Sequence, residues 1–329
     1  MKRIGRLLLV ASGAAAAAAT ALRYRSDLAD ARLAAGRGSL IVDTDVGLIE
    51  YAERGTGVPL LSIHGAGGGF DQGLANATEF ADEGFFRIIA PSRFGYLRTP
   101  VPPDASSAAQ ADAHAALLSK LNVAKAIVLG VSAGARSAVE LAVRRPDLIA
   151  ALILIVPGLY SPTSPVSVDS SRGSKFAFWA VSVGGNFAWR AAEMIAPSIL
   201  VRFVGVRPEL AAAAPQSERE RVISIVAAIQ PLSLRSAGIN IDSSPDLHEL
   251  PLQRIDAPTL IVSARDDLFN TLPAAEYVAS KIAGAKLVVY DAGGHLLVGP
   301  REDVRETIGG FLAAAGLAPA SHEAIASAR

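Results

Sequence analysis

Six short stretches of this chain are dominated by apolar residues and show no alternation: VPLLSIHG (58–65), FFRIIAP (85–91), AKAIVLG (124–130), ALILIVP (151–157), PTLIVSA (258–264) and AKLVVYD (285–291). A strand with one wet face alternates polar and apolar residues, whereas a strand buried on both faces does not. These runs therefore read as strands of a parallel sheet covered on both sides. Helix-length segments lie between several of them, among them 104–121 and 133–145. The alternation of strand and helix predicts an α/β fold, a doubly wound, mostly parallel sheet. Ahead of the runs, SLIVDT and GLIEYAERG flank a turn at Asp45–Gly47 and predict a hairpin.

One interval breaks the rhythm. Residues 158–250 are far too long for a simple crossover, and a structureless loop of that length is improbable. Two of its segments, KFAFWAVSVGGNFAWRAAEMIAPSILVRFVGV and SERERVISIVAAIQ, are helix-like and apolar. The interval is read as an inserted helical cap. It is not a membrane span, because Arg190 and Glu193 interrupt it. The core is then 40–157 and 251–315, with a charged linker or helix at 26–39 and a C-terminal tail at 316–329.

The first 25 residues stand apart. Lys2, Arg3 and Arg6 precede an uncharged, alanine-rich run from Leu7 to Leu22. That run is at the short end of the roughly 17–25 residues a spanning helix needs. Residues 4–22 are expected to associate with a membrane. Either they form a single uncleaved N-terminal anchor, or they are a signal peptide cut near Ala19–Ala21 and the protein is exported.

Composition narrows the chemistry. The 31 lysines and arginines balance 31 aspartates and glutamates, which argues against a nucleic-acid partner. The chain has no cysteine, so disulfides, thiolate zinc sites and a cysteine nucleophile are excluded. In AIVLGVSAGARSAVELA (126–142) a strand runs into a helix, with Ser132 between Gly130 and Gly134. A sharp turn there strains the serine backbone, and glycines at the flanking positions remove side chains that would collide. The pattern alone is also met in plain structural turns, and it gains meaning from three others. SIHGAGGGF (62–70) follows a strand, and its backbone can approach an oxygen closely. The N–H groups of Ala66 and Ala133 form a candidate oxyanion hole. The loop lacks the spacing of a phosphate-binding motif. Asp267 follows the strand PTLIVSA as candidate orienting carboxylate, with Asp266 as alternative. His295 follows the last strand in a glycine-rich loop. His64 is read as loop-stabilising. His114, His248 and His322 are not favoured as catalytic groups.

With these parts in order, the chain resembles the serine-nucleophile, esterase- and lipase-like α/β-hydrolase superfamily over roughly residues 40–315. The matching residues are His64-Gly65, the Gly130–Gly134 elbow, Asp267 and Gly294-His295. In APSRFGYLRTP (90–100), many relatives read D-x-R-G-x-G-x-S. Here Gly95 is kept and Ser92, Phe94, Leu97 and Thr99 depart. The resemblance implies a Ser132–His295–Asp267 triad that cleaves an ester or related acyl bond of a small molecule, without cofactor or metal. The same triad serves acyltransferases, perhydrolases and carbon–carbon hydrolases. A catalytically dead binding protein on this fold is the rival from another class. Phe176, Phe178, Trp179, Phe187 and Trp189 cluster in the cap, either lining a lipophilic pocket or forming the cap's own core.

Overall fold

A computed structural model describes residues 22–33, 35–80, 83–163 and 185–318. Residues 1–21 of the expected anchor or signal segment, 164–184 of the cap and the tail beyond 318 lie outside those residues, while 22–33 is helical.

All eight strands read from the sequence are present. They are β1 (Leu40–Thr44), β2 (Gly47–Arg54), β3 (Val58–Ile63), β4 (Phe86–Pro91), β5 (Ala126–Val131), β6 (Ile149–Ile155), β7 (Thr259–Ala264) and β8 (Lys286–Tyr290). One sheet holds them in the order β1-β2-β4-β3-β5-β6-β7-β8. The hairpin β1–β2 is antiparallel and β2 meets β4 antiparallel. Every pairing from β4 through β8 is parallel.

The unbroken apolar runs are explained by the two cores that the sheet separates. In β5, Ala126 and Val128 point into one core while Ile127 and Leu129 point into the other. A polar residue at either parity would be buried. The exception is β8, whose residues are only half-buried at the sheet edge. An edge strand lacks a neighbour on one side, so its apolar run overstated its burial.

Helices α1 (Phe70–Thr78), α2 (Ser107–Lys120) and α3 (Gly134–Arg144) follow β3, β4 and β5. Between β6 and β7 the described cap consists of α4 (Asn186–Ile195), α5 (Pro197–Phe203), α6 (Pro208–Ala213), α7 (Gln216–Ala228) and α8 (Ser236–Ser243). Pro197 divides the long helix-like run into α4 and α5, because proline lacks the N–H that a continuous helix needs. Helices α9 (Leu272–Lys281) and α10 (Arg301–Ala314) complete the core. The cap has an apolar core of its own, built from Trp189, Leu200, Val226, Leu232 and Ile239, and Tyr96 of the sheet domain enters it.

Candidate active site

Parallel strands bring their C-terminal ends to one rim, and the functional candidates follow β3, β5, β7 and β8 there. Ser132 sits between β5 and α3 at φ 52°. A non-glycine residue there costs about 1–3 kcal/mol and persists only when its surroundings enforce it. The enforcement is visible. Ser132 N–H donates to Ile155 O at 2.9 Å, and its carbonyl accepts from Gly158 and Ala135 at 3.0 and 3.1 Å. The flanking glycines are required by close approach. A Cβ on Gly130 would lie 2.7 Å from Ala138 Cβ, and one on Gly134 would lie 2.5 Å from the carbonyl oxygens of Ile63 and His64.

The structure brings Ser132, His295 and Asp267 together. His295 Nε2 lies 2.8 Å from Ser132 Oγ, and Nδ1 lies 2.8 Å from Asp267 Oδ2. A carboxylate only accepts, so the proton belongs on Nδ1 and the Nε2 lone pair faces the serine hydroxyl. Asp267 also accepts from the Thr271 hydroxyl, and from the Phe269 N–H at 2.8 Å. Burial pushes its carboxyl up, but the His295 ring and these hydrogen bonds outweigh that and hold it below the ordinary value. The acid therefore remains ionised. The His295 ring packs edge-on to Phe269, with centroids 4.6 Å apart.

Asp266 has a different place. Its Oδ1 accepts the Gly294 N–H at 2.7 Å and its Oδ2 lies 3.7 Å from Arg207. It therefore fastens the loop that carries His295. His64 is buried and bridges two chain segments, with Nδ1 at 2.7 Å from Gly65 O and Nε2 accepting from Arg93 N–H at 2.9 Å. Burial, with Arg93 next to it, pushes its pKa well below the ordinary histidine value. His114 is also buried, 3.1 Å from Ser137 Oγ, and burial takes its pKa down to about 3. His248 is exposed, and His322 lies outside the described residues.

The glycine-rich loop lies against the serine: a Cβ on Gly65 would be 3.2 Å from Ser132 Cβ. Among the described residues, the N–H groups of Ala66 and Ala133 have no acceptor. Ala66 is exposed and Ala133 is buried.

Sequence reasoning missed several contributors. Gly205, between α5 and α6 of the cap, accepts the N–H groups of both His295 and Leu268, at 3.1 and 3.3 Å. Its φ is 79°, and a Cβ there would lie 2.5 Å from His295 Cβ. Thr271 and Gln72, which accepts Gly65 N–H at 2.9 Å, were missed too. Nothing in the letters around them marks a site. The glycine between Val204 and Val206 was the only available hint. Of the aromatic cluster, Trp189 is buried in the cap's core, and Phe187 is exposed, packing on Tyr24 at 5.3 Å. Phe176, Phe178 and Trp179 lie outside the described residues.

A model of the alpha/beta hydrolase family matches residues 60–307. The chain belongs to the alpha/beta hydrolase family. This hydrolase is 29% identical to a solved alpha/beta hydrolase fold protein from Nakamurella multipartita, with a TM-score of 0.64 over 86% of this chain and 99% of that one. It is 27% identical to a 2-hydroxymuconate semialdehyde hydrolase of Pseudomonas putida, over 74% of this chain and 82% of the relative. It is 26% identical to a 2-hydroxy-6-oxo-6-phenylhexa-2,4-dienoate hydrolase of Comamonas testosteroni, over 75% of this chain and 85% of the relative. The hydrolase is thus similar to enzymes that act on small molecules.

Proposed function

We propose that this alpha/beta hydrolase cleaves an ester or related acyl bond of a small molecule through a covalent intermediate on Ser132. The observation that carries the reading is the relay from Ser132 Oγ to His295 Nε2 and from His295 Nδ1 to Asp267 Oδ2, each step 2.8 Å. A serine hydroxyl is a weak nucleophile until a base removes its proton. His295 takes that proton as Oγ attacks the carbonyl carbon. Ionised Asp267 holds the imidazole in the required tautomer and stabilises the imidazolium. The N–H groups of Ala66 and Ala133 receive the oxyanion. Collapse expels the alcohol, which takes the proton from His295. Water then attacks the acyl-enzyme by the same route and releases the acid.

The test is ester turnover by Ser132→Ala. The expected result is loss of at least about 10³-fold in kcat, leaving only what the oxyanion hole and binding provide. Near-normal turnover would refute the mechanism. A p-nitrophenyl ester series reads the acyl pocket: activity rising with chain length supports a lipophilic substrate, and an acetyl preference opposes it.

A second reading, carbon–carbon bond hydrolysis beside a carbonyl, is favoured by the relatives' names. The 2-hydroxy-6-oxo-6-phenylhexa-2,4-dienoate that one of them hydrolyses has no ester or amide, so a carbon–carbon bond must break there. Turnover of that compound in preference to esters would select this reading for the present chain. We also propose membrane attachment through residues 4–22. Retention in the membrane fraction after carbonate washing supports an anchor. Release of a protein that begins beyond residue 20 supports a cleaved signal.

A further inference from the structure

The peptide that presents Ala66 N–H is held from both sides, and both holds converge on one carboxylate of the cap. On one side, Gly67 N–H donates to Tyr96 Oη at 3.2 Å, and Tyr96 O–H donates to Asp242 Oδ2 at 2.5 Å. On the other, Asp242 accepts two hydrogen bonds from Arg93, at 2.9 and 2.5 Å. Arg93 in turn donates from Nε to His64 O and from its backbone N–H to His64 Nε2, both at 2.9 Å. The second arrangement leaves the proton of His64 on Nδ1, which donates to Gly65 O at 2.7 Å, an oxygen that also accepts the longer Gly68 N–H bond at 3.4 Å.

Gly65 C=O and Ala66 N–H belong to one peptide unit. That unit is planar and trans, so its oxygen and hydrogen point in opposite directions. Fixing Gly65 O on His64 therefore aims Ala66 N–H the other way. Fixing Gly67 N–H on Tyr96 sets the next peptide plane. Ala66 itself is the exposed link between two anchored units.

The anchors are buried and cannot swing. Asp242 is 8% exposed, Arg93 7%, and Tyr96 and His64 are fully buried. Helix α8, which carries Asp242, touches the Tyr96 loop backbone to backbone: Gly238 N–H donates to Gly95 O at 3.0 Å. A Cβ on Gly238 would lie 2.2 Å from the Tyr96 ring. Burial pushes the Asp242 carboxyl up, but Arg93 and Arg136 more than offset it, and the group stays ionised. Burial and the neighbouring Asp242 push Tyr96 well above its ordinary value. The phenol therefore keeps the proton it donates.

We propose that Asp242 is a positioning residue for the oxyanion loop, acting through Tyr96 and Arg93 on the peptide units either side of Ala66. The cap then sets the geometry of transition-state stabilisation. The proposal rests on the acyl-enzyme reading above.

The test compares full-length wild type, Tyr96→Phe and Asp242→Asn. It measures kcat and KM on a p-nitrophenyl ester and Ki for a trifluoromethyl ketone, which forms a tetrahedral adduct on the serine. Tyr96→Phe keeps the buried ring, so the fold is retained even where Asp242→Asn fails to fold. Tyr96→Phe is expected to lower kcat about 10-fold and Asp242→Asn about 100-fold, with KM within about twofold. Ki for the ketone should rise in parallel with the loss, a response that generalised loosening of the fold would not track. The proposal is overturned if Tyr96→Phe keeps wild-type kcat and ketone affinity, or if KM rises while kcat stays. If Ser132→Ala still turns over the ester, the acyl-enzyme reading itself fails, which is a distinguishable result.

Discussion

At Ser132 and Asp267 the proposed chemistry rests on single hydrogen bonds. The acid has one oxygen shared between His295 and Thr271, and the other on the Phe269 N–H. Thr271 is fully buried, its hydroxyl donating to Asp267 and lying 3.4 Å from Ser263 Oγ. Thr271→Val keeps the volume and removes the hydroxyl. A hydrogen bond to a charged group contributes about 1.5–3 kcal/mol, so the imidazolium loses part of its stabilisation. The expected result is a fall in kcat of about 10-fold with KM unchanged, read on any turned-over ester. An unchanged kcat would remove Thr271 from the account. Asp267→Asn should be far worse, about 10⁴-fold, because it favours the wrong histidine tautomer. Asp266→Asn still accepts the Gly294 N–H and should be mild. An equal loss in both variants would contradict the assignment of the acid.

At the scale of elements, the cap meets the turns that carry Asp267 and His295 as well as the glycine-rich loop after β3. The Gly205 carbonyl, reached at the end of α5, accepts N–H groups from the acid turn and from the His295 loop. Gly205→Ala places a methyl 2.5 Å from His295 Cβ and 2.7 Å from the Phe269 ring, at a φ that alanine rarely adopts. Displacing a reacting group by about 1 Å can cost about 10²-fold in rate. A loss of that order, with the circular dichroism of the wild type, is the expected outcome. Wild-type activity would show that the loop yields elsewhere. These contacts also mark where reading the letters stops. Strands were legible because burial on two faces imposes a composition, and Ser132, Asp267 and His295 because their chemistry needs particular residue types. Gly205, Asp242 and Tyr96 were not legible. A backbone carbonyl leaves no trace in the sequence, and an aspartate 146 positions from its tyrosine partner looks like any surface acid.

For the whole molecule, two buried histidines make stability pH-sensitive, opposed in sign by Glu79 and Glu140, whose carboxyls burial pushes up. An unfolded histidine titrates near 6.5, whereas burial, reinforced by Arg93, takes folded His114 down to about 3. Between those values the unfolded chain holds a proton that the folded chain does not. Stability therefore falls as pH drops through that window, by up to about 1.4 kcal/mol per pH unit for each such group. His64, lowered by burial, acts with the same sign. Asp242 and Asp267 are held below 3.8, so their contribution is lost only at lower pH. Stability from urea melts between about pH 4.5 and 6 should fall more with decreasing pH in wild type than in His114→Gln, the difference in slope being about one histidine's share. An identical slope in the variant would contradict the assignment. The serine at the β5–α3 turn is the centre of the proposed chemistry. Labelling with a fluorophosphonate, followed by peptide mass mapping, tests it most directly. The account predicts one adduct, on Ser132, absent from Ser132→Ala and formed at least about 10²-fold more slowly in His295→Ala. An inert Ser132 in a protein that still hydrolyses its substrate, or an adduct on another residue, would contradict it.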